Sequence, residues 1–147
     1  MAKLETTDQI LDAAEDLFAE QGFAATSLRQ ITALAEVNLA AVNYHFGSKE
    51  ELAKSVLRRR IEPINAERRR RLDQLDDEAT IAAIVRAFIE PALQVQQISP
   101  DAEPTSRGAG LCRLFGRISV EQPPFLREFF GEQFGELGKR FVTVLSI

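Results

Sequence analysis

In 147 residues the chain has a single cysteine, Cys112, a single histidine, His45, and a single tyrosine, Tyr44. One cysteine excludes an internal disulfide framework and suits a reducing compartment. With only one histidine as well, a clustered zinc site is nearly excluded, and neither metal nor cofactor is expected. Long apolar runs are also missing. No stretch reaches the roughly 20 residues of a membrane-spanning helix, and the amino terminus carries no signal-like segment. Internal repeats and low-complexity segments are absent. A soluble, cytoplasmic protein of about one domain, or two small ones sharing a core, is what these absences leave.

Positive charge is scarce overall, with a formal net charge of −4, which argues against a generally basic nucleic-acid binder. It is unevenly placed, however. Met1 to Ala25 holds one lysine against six acidic residues, a balance of −5, whereas Thr26 to Arg60 holds six basic residues against three acidic ones, a balance of +3. Screening limits the reach of exposed charges to about 8–10 Å, so a local positive surface can meet phosphate in an acidic protein.

Hydrophobic residues make up 45% of the chain and recur at spacings of three and four, with no sustained alternation, so the expected fold class is all-α. A first helix is expected from Thr7 to Glu20, capped by Thr6 with Gln9, with Ile10, Ala14, Leu17, Phe18 and Gln21 on one face. Gly22 ends it, and Phe23 folds back on its last turn. "TSLRQI" opens a second helix through a Ser27–Gln30 capping box, with Leu28, Ile31 and Leu34 inward, and "AEVN" breaks it after about two turns. A third short helix runs from Leu39 to Phe46, with Asn38 as its cap. "FGSKEEL" ends that helix at Gly47 and starts a fourth, capped by Ser48 with Glu51. The fourth extends toward Leu75, with Pro63 expected to kink or split it. An apolar helix follows from Ile81 to about Val95, then a loop from Ile98 to Gly110, a helix from Leu111 to Val120, and a last helix opened by Pro123 and Pro124. "RFVTVLSI" carries no C-cap glycine, so the chain is expected to be truncated there.

Two short helices joined by about four residues and buttressed by a first helix form a helix-turn-helix layout, whose purpose is to expose the second short helix to the major groove. At about 100° per residue, Leu39, Val42 and Phe46 form the inward seam, while Ala40, Ala41 and Tyr44 lie opposite with Asn43 and His45 on the flanks. Alanines allow close approach. Asparagine can read adenine with two hydrogen bonds, and tyrosine can donate to phosphate while its ring meets a thymine methyl. Lys49 stands at a helix N-terminus, where the backbone also favours an anion. Plain alternatives remain: Asn38 as a cap alone, Tyr44 bordering another subunit, His45 as a structural hydrogen-bonding residue.

The run "ILDAAEDLFAEQGFAATSLRQITALAEVNLAAVNYHFGSKEELAKSVL" resembles the DNA-binding domain of the TetR family of bacterial transcription regulators. The resemblance rests on "AAEDLFAEQGF", "TSLRQI", and "YHF" followed by lysine three residues on. It implies a three-helix DNA-binding domain over residues 1–50 and a helical effector-binding and dimerisation domain over 51–147. It places Ser27, Arg29, Asn38, Leu39, Ala40, Asn43, Tyr44, His45 and Lys49 at the DNA, with Lys49 on phosphate. For Leu39 this differs from the periodicity, and both readings stand. The family often has serine, glycine and tyrosine where this chain has Asn38, Ala40 and Asn43.

Six of the ten phenylalanines follow the expected loop: Phe115, Phe125, Phe129, Phe130, Phe134 and Phe141. The residues themselves suit helix-packing core. "LCRLFGR" and "PPFLREFF" together with the helix-turn-helix are similar to a subgroup of fatty-acid-responsive TetR repressors. That resemblance implies an effector site with Leu111, Leu114, Phe115, Ile118 and Phe129 around an acyl chain or acyl-CoA, and Arg113 or Arg117 on its carboxylate. The arginines have a solvated reading as well. "RRRR", Arg68 to Arg71, covers a full helical turn and reads as a solvated face.

The implied mechanism is a homodimer on a palindromic operator, released by a small apolar effector that controls lipid-metabolism genes. Rival readings are a helical protein-interaction module and a TetR-type regulator of efflux with another ligand. An enzyme using His45 is not expected, because a surface position on a short helix offers neither a nucleophile nor an orienting carboxylate.

Overall fold

A computed structural model describes residues 2–76, 78–94 and 107–145, with side chains from 5–76, 78–94 and 112–145. The described residues form helices α1 (Ala2–Gln21), α2 (Leu28–Leu34), α3 (Leu39–Phe46), α4 (Lys49–Asp73), α5 (Ile81–Leu93), α6 (Arg107–Glu121) and α7 (Phe125–Leu145). The class is all-α.

The chain packs as two units: Met1–Arg58 with Ala109–Leu126, and Arg59–Gly108 with Arg127–Ile147. In the first unit Ile10, Ala14, Phe18, Ile31, Val42, Leu52, Leu57 and Leu114 are fully buried. Gly22 ends α1 at φ +91, and the Phe23 ring turns back to lie 5.7 Å from that of Phe18. The Thr26 hydroxyl, also buried, donates to the Gly22 carbonyl at 2.6 Å and fixes the α1–α2 turn. The second unit has its own core of Leu72, Ile84, Ala87, Leu137 and Phe141.

Several expectations are corrected. Helix α1 begins at Ala2, so Thr6 lies inside it and makes no cap. Upstream residues are good helix formers, and each one that joins an existing helix adds a hydrogen bond, which outweighs a local cap. Leu34 is exposed, and Ala35, four residues after Ile31, takes the inward position. Helix α4 continues through Pro63 unsplit, with Ile61 and Ile64 buried on either side offsetting the hydrogen bond that proline removes. Helix α6 begins at Arg107 rather than Leu111. The rest of the expected loop, 98–106, lies outside the described residues, as does Val95.

The arginine run is a solvated face only in part: Arg70 is exposed and Arg69 half-buried, but two of the four turn inward. Arg68 is buried, with its guanidinium 4.1 Å from the Phe88 ring centroid. Arg71 donates to Glu67, Glu90 and Gln94 at 2.7, 2.6 and 2.8 Å. A run that covers a whole turn must turn one side chain toward the core. Here an aromatic ring, a carbonyl and Asn65 receive it.

Candidate nucleic-acid interface

Local caps set the interface. Ser27 Oγ accepts the Gln30 N–H at 3.2 Å while Gln30 Oε1 accepts the Ser27 N–H at 2.8 Å, a reciprocal box that starts α2. Helix α2 ends with Glu36 in the left-handed region, φ 54, as the Val37 and Glu36 N–H groups return to the Thr32 and Ala33 carbonyls. This is a Schellman turn made without glycine. Asn38 Oδ1 then accepts the Ala41 N–H at 2.8 Å and opens α3. Gly47, at φ 78, closes α3, and Ser48 Oγ accepts the Glu51 N–H at 3.1 Å to open α4. The break between α2 and α3 is therefore built from side-chain caps and one strained turn.

The caps hold α3 with Val42 fully buried and Phe46 half-buried, turning Leu39, Ala40, Asn43 and Tyr44 outward. Leu39 is 42% exposed, which removes it from the seam and puts it on the outer surface. Tyr44 is 75% exposed, an unusual position for a large ring that nothing in the fold requires. Ser27, Arg29 and Asn38 are exposed as well, and the oxygens of Ser27 and Asn38 are engaged in capping. This outer face combines small residues, an amide and a phenol. It can approach a groove closely and offer one bidentate donor–acceptor pair, that of Asn43.

Two expected residues have partners that no local pattern signals. His45 is half-buried, with Nδ1 3.4 Å from Thr7 Oγ1 of α1 and its ring edge-on to Tyr44 at 5.2 Å. Lys49 is half-buried too, with Nζ 4.3 Å over the Phe23 ring. Burial there lowers the Lys49 pKa below its ordinary value, while the Glu121 carboxylate acts in the opposite direction. Phe23, Glu121 and Thr7 thus join the surroundings of the interface.

Among the expected effector residues, Leu114 and Ile118 are buried within the first unit, and Phe129 is buried within the second. Phe115 is half-buried and Arg113 exposed, while the Leu111 side chain lies outside the described residues. Arg117 Nη2 donates to the Glu20 carbonyl at 2.9 Å. In the second unit a cavity of about 490 Å³ is lined by residues that include Arg70, Arg71, Leu75, Arg86 and Ala87, none of them an expected effector residue. Among the described residues no group of acids, histidine and cysteine could hold a metal ion, and no helix is long and apolar enough to cross a membrane.

Residues 10–56 match the family model described as bacterial regulatory proteins, tetR family. The likeness to that family lies in this segment. The TetR match covers α2 and α3 entirely. Over 85 residues the chain is 42% identical to the HTH-type transcriptional repressor NicS of Pseudomonas putida, covering 57% of this chain and 40% of that protein. Over 83 residues it is 34% identical to the HTH-type transcriptional repressor KstR2 of Rhodococcus jostii, covering 56% of this chain and 41% of that one. The chain thus spans well under two thirds of these curated relatives. A solved transcriptional regulator (TerR/AcrR family) from Aquifex aeolicus superposes on 95% of this chain and 71% of its own, with a TM-score of 0.64 at 21% identity, a likeness of fold.

Proposed function

We propose that the chain is the DNA-binding and effector-sensing portion of a cytoplasmic transcriptional repressor with no enzymatic role, which reads an operator through the exposed face of α3. The exposure of Leu39, Ala40, Asn43 and Tyr44 on a helix tied down by Val42 carries this reading. Asn43 supplies base recognition, and Ser27, Arg29, Asn38, Tyr44, His45 and Lys49 meet the phosphate backbone around it. Each protomer of a homodimer reads one half of a palindromic site, the half-sites about 34–36 Å apart.

The effector in this reading is a small apolar molecule, a long-chain fatty acid or acyl-CoA. Support comes from the apolar Leu114, Phe115 and Ile118 of α6, with Arg113 as the exposed cation for a carboxylate and Arg117 the second choice, since it already donates to Glu20. Effector binding favours a dimer whose half-site spacing no longer fits the operator, and by linkage the operator weakens effector binding equally. Selection of duplexes from a randomised pool tests DNA recognition, and release of the selected duplex by oleoyl and palmitoyl compounds tests the effector class. If acyl chains of every length leave the complex intact, the acyl assignment fails while the DNA-binding reading stands.

A further inference from the structure

The C-terminal end of α6 is fastened to the α1–α2 turn by an unusual contact. Glu121 Oε2 accepts the Ala24 N–H at 3.0 Å. Its other carboxylate oxygen lies so close to Gly22 that a Cβ there would meet it at 1.8 Å, so the approach depends on that position having no side chain. Phe125 seals the same corner with its ring edge-on to Phe23 at 5.1 Å, and Phe23 is the ring under the Lys49 ammonium. Arg117, one turn earlier on α6, holds the end of α1 through the Glu20 carbonyl. Glu121 and Lys49 therefore engage the same turn, the carboxylate through the Ala24 N–H and the ammonium over the neighbouring Phe23 ring, and the carboxylate raises the lysine pKa against its burial.

This places a carboxylate on a backbone N–H and near an ammonium, an arrangement with the same donors that a nucleic-acid phosphate uses. A phosphate approaching Lys49 meets repulsion from a negative charge on the same turn, within a Debye length. We propose that Glu121 is an internal competitor for DNA phosphate, which lowers the affinity of the interface for every duplex alike. The inference rests on the DNA-binding reading and adds to it a residue, on a helix outside the helix-turn-helix, that sets the strength of binding and leaves the choice of sequence untouched.

The test is a double-mutant cycle between Glu121 and Lys49, read as duplex affinity at two salt concentrations. Glu121→Gln keeps an oxygen to accept the Ala24 N–H and removes only the charge, so melting temperature should be unchanged. Affinity should rise about three- to tenfold at low salt, equally for selected and bulk duplexes, and the gain should shrink at high salt. In a Lys49→Met background the same change should give little or no gain. Glu121→Ala should show the same rise in affinity with a lower melting temperature. Unchanged or weaker binding by Glu121→Gln overturns the proposal, as does an equal gain with and without Lys49. If the wild-type chain enriches no duplex at all, the DNA-binding reading falls and this inference with it. Enrichment by the wild type with an additive cycle removes the inference alone.

Discussion

The guanidinium of Arg68 lies over the Phe88 ring, 4.1 Å from its centroid, while its Nε–H donates to the carbonyl of the same residue at 2.8 Å. One residue on α5 thus meets one cation on α4 with both its ring and its carbonyl. A further N–H of Arg68 goes to Asn65, whose amide in turn donates to the Gln133 carbonyl of α7 at 2.9 Å, so three helices share one polar chain. Burial pushes the Arg68 pKa below its ordinary value, yet an arginine stays charged at any pH the protein meets.

Removing Arg68 takes a side-chain donor from the Phe88 carbonyl and leaves the buried Asn65 without the one at its Oδ1. Arg68→Ala should therefore lower unfolding free energy by about 2–4 kcal/mol, measured by urea denaturation. Arg68→Lys keeps the charge but loses the planar guanidinium and its fork of donors, and should lose roughly half as much. An unchanged midpoint in Arg68→Ala would show the contact to be incidental.

The cap of α2 should be worth a measurable amount on its own. Ser27→Ala deletes the side-chain half of the reciprocal box and should cost about 0.5–2 kcal/mol, whereas Ser27→Gly should cost only a few tenths. Equal losses in the two variants would mean that the serine acts through something other than capping.

Acid should attack the second unit through Glu67. Hydrogen bonds from Arg70 and then Arg71 hold this carboxyl at about 2, below its ordinary value. A depressed folded-state pKa contributes stability above the unfolded value near 4.5 and loses it as pH falls toward about 2. Thermal melts between pH 5 and pH 2 should fall more steeply for the wild type than for Glu67→Gln, because the variant has no proton to gain at that position. Parallel curves would contradict the ion-pair network.

Legibility in the sequence followed the range of the forces. The bounds of α3, the Ser27–Gln30 box, the Asn38 and Ser48 caps and the Gly22 and Gly47 stops were all readable, because each is decided within four residues. Helical periodicity puts Ala40, Ala41 and Tyr44 outward with Asn43 and His45 on the flanks; Ala40, Asn43 and Tyr44 are exposed, whereas Ala41 and His45 are half-buried. What stayed hidden is what distant residues decide. Arg68 reads as surface until Phe88 is placed beside it, and nothing near Lys49 in the sequence announces Phe23 or Glu121. Of the two outcomes expected at Pro63, a kink or a split, the split does not occur, and Ile61 and Ile64 are buried on either side of it. Thr6 misled because a local cap motif was overruled by the helix continuing upstream.

The central claim is that the exposed face of α3 reads base sequence, and parallel duplex selections by wild-type, Asn43→Ala and Lys49→Ala chains test it most directly. The account predicts an inverted-repeat motif for the wild type and a changed preference at defined positions for Asn43→Ala. For Lys49→Ala it predicts the same motif, bound uniformly more weakly with the salt slope reduced by about one. Failure of the wild type to enrich any motif at either of two salt concentrations would contradict the account, and an identical motif from Asn43→Ala would remove Asn43 as the residue that reads it.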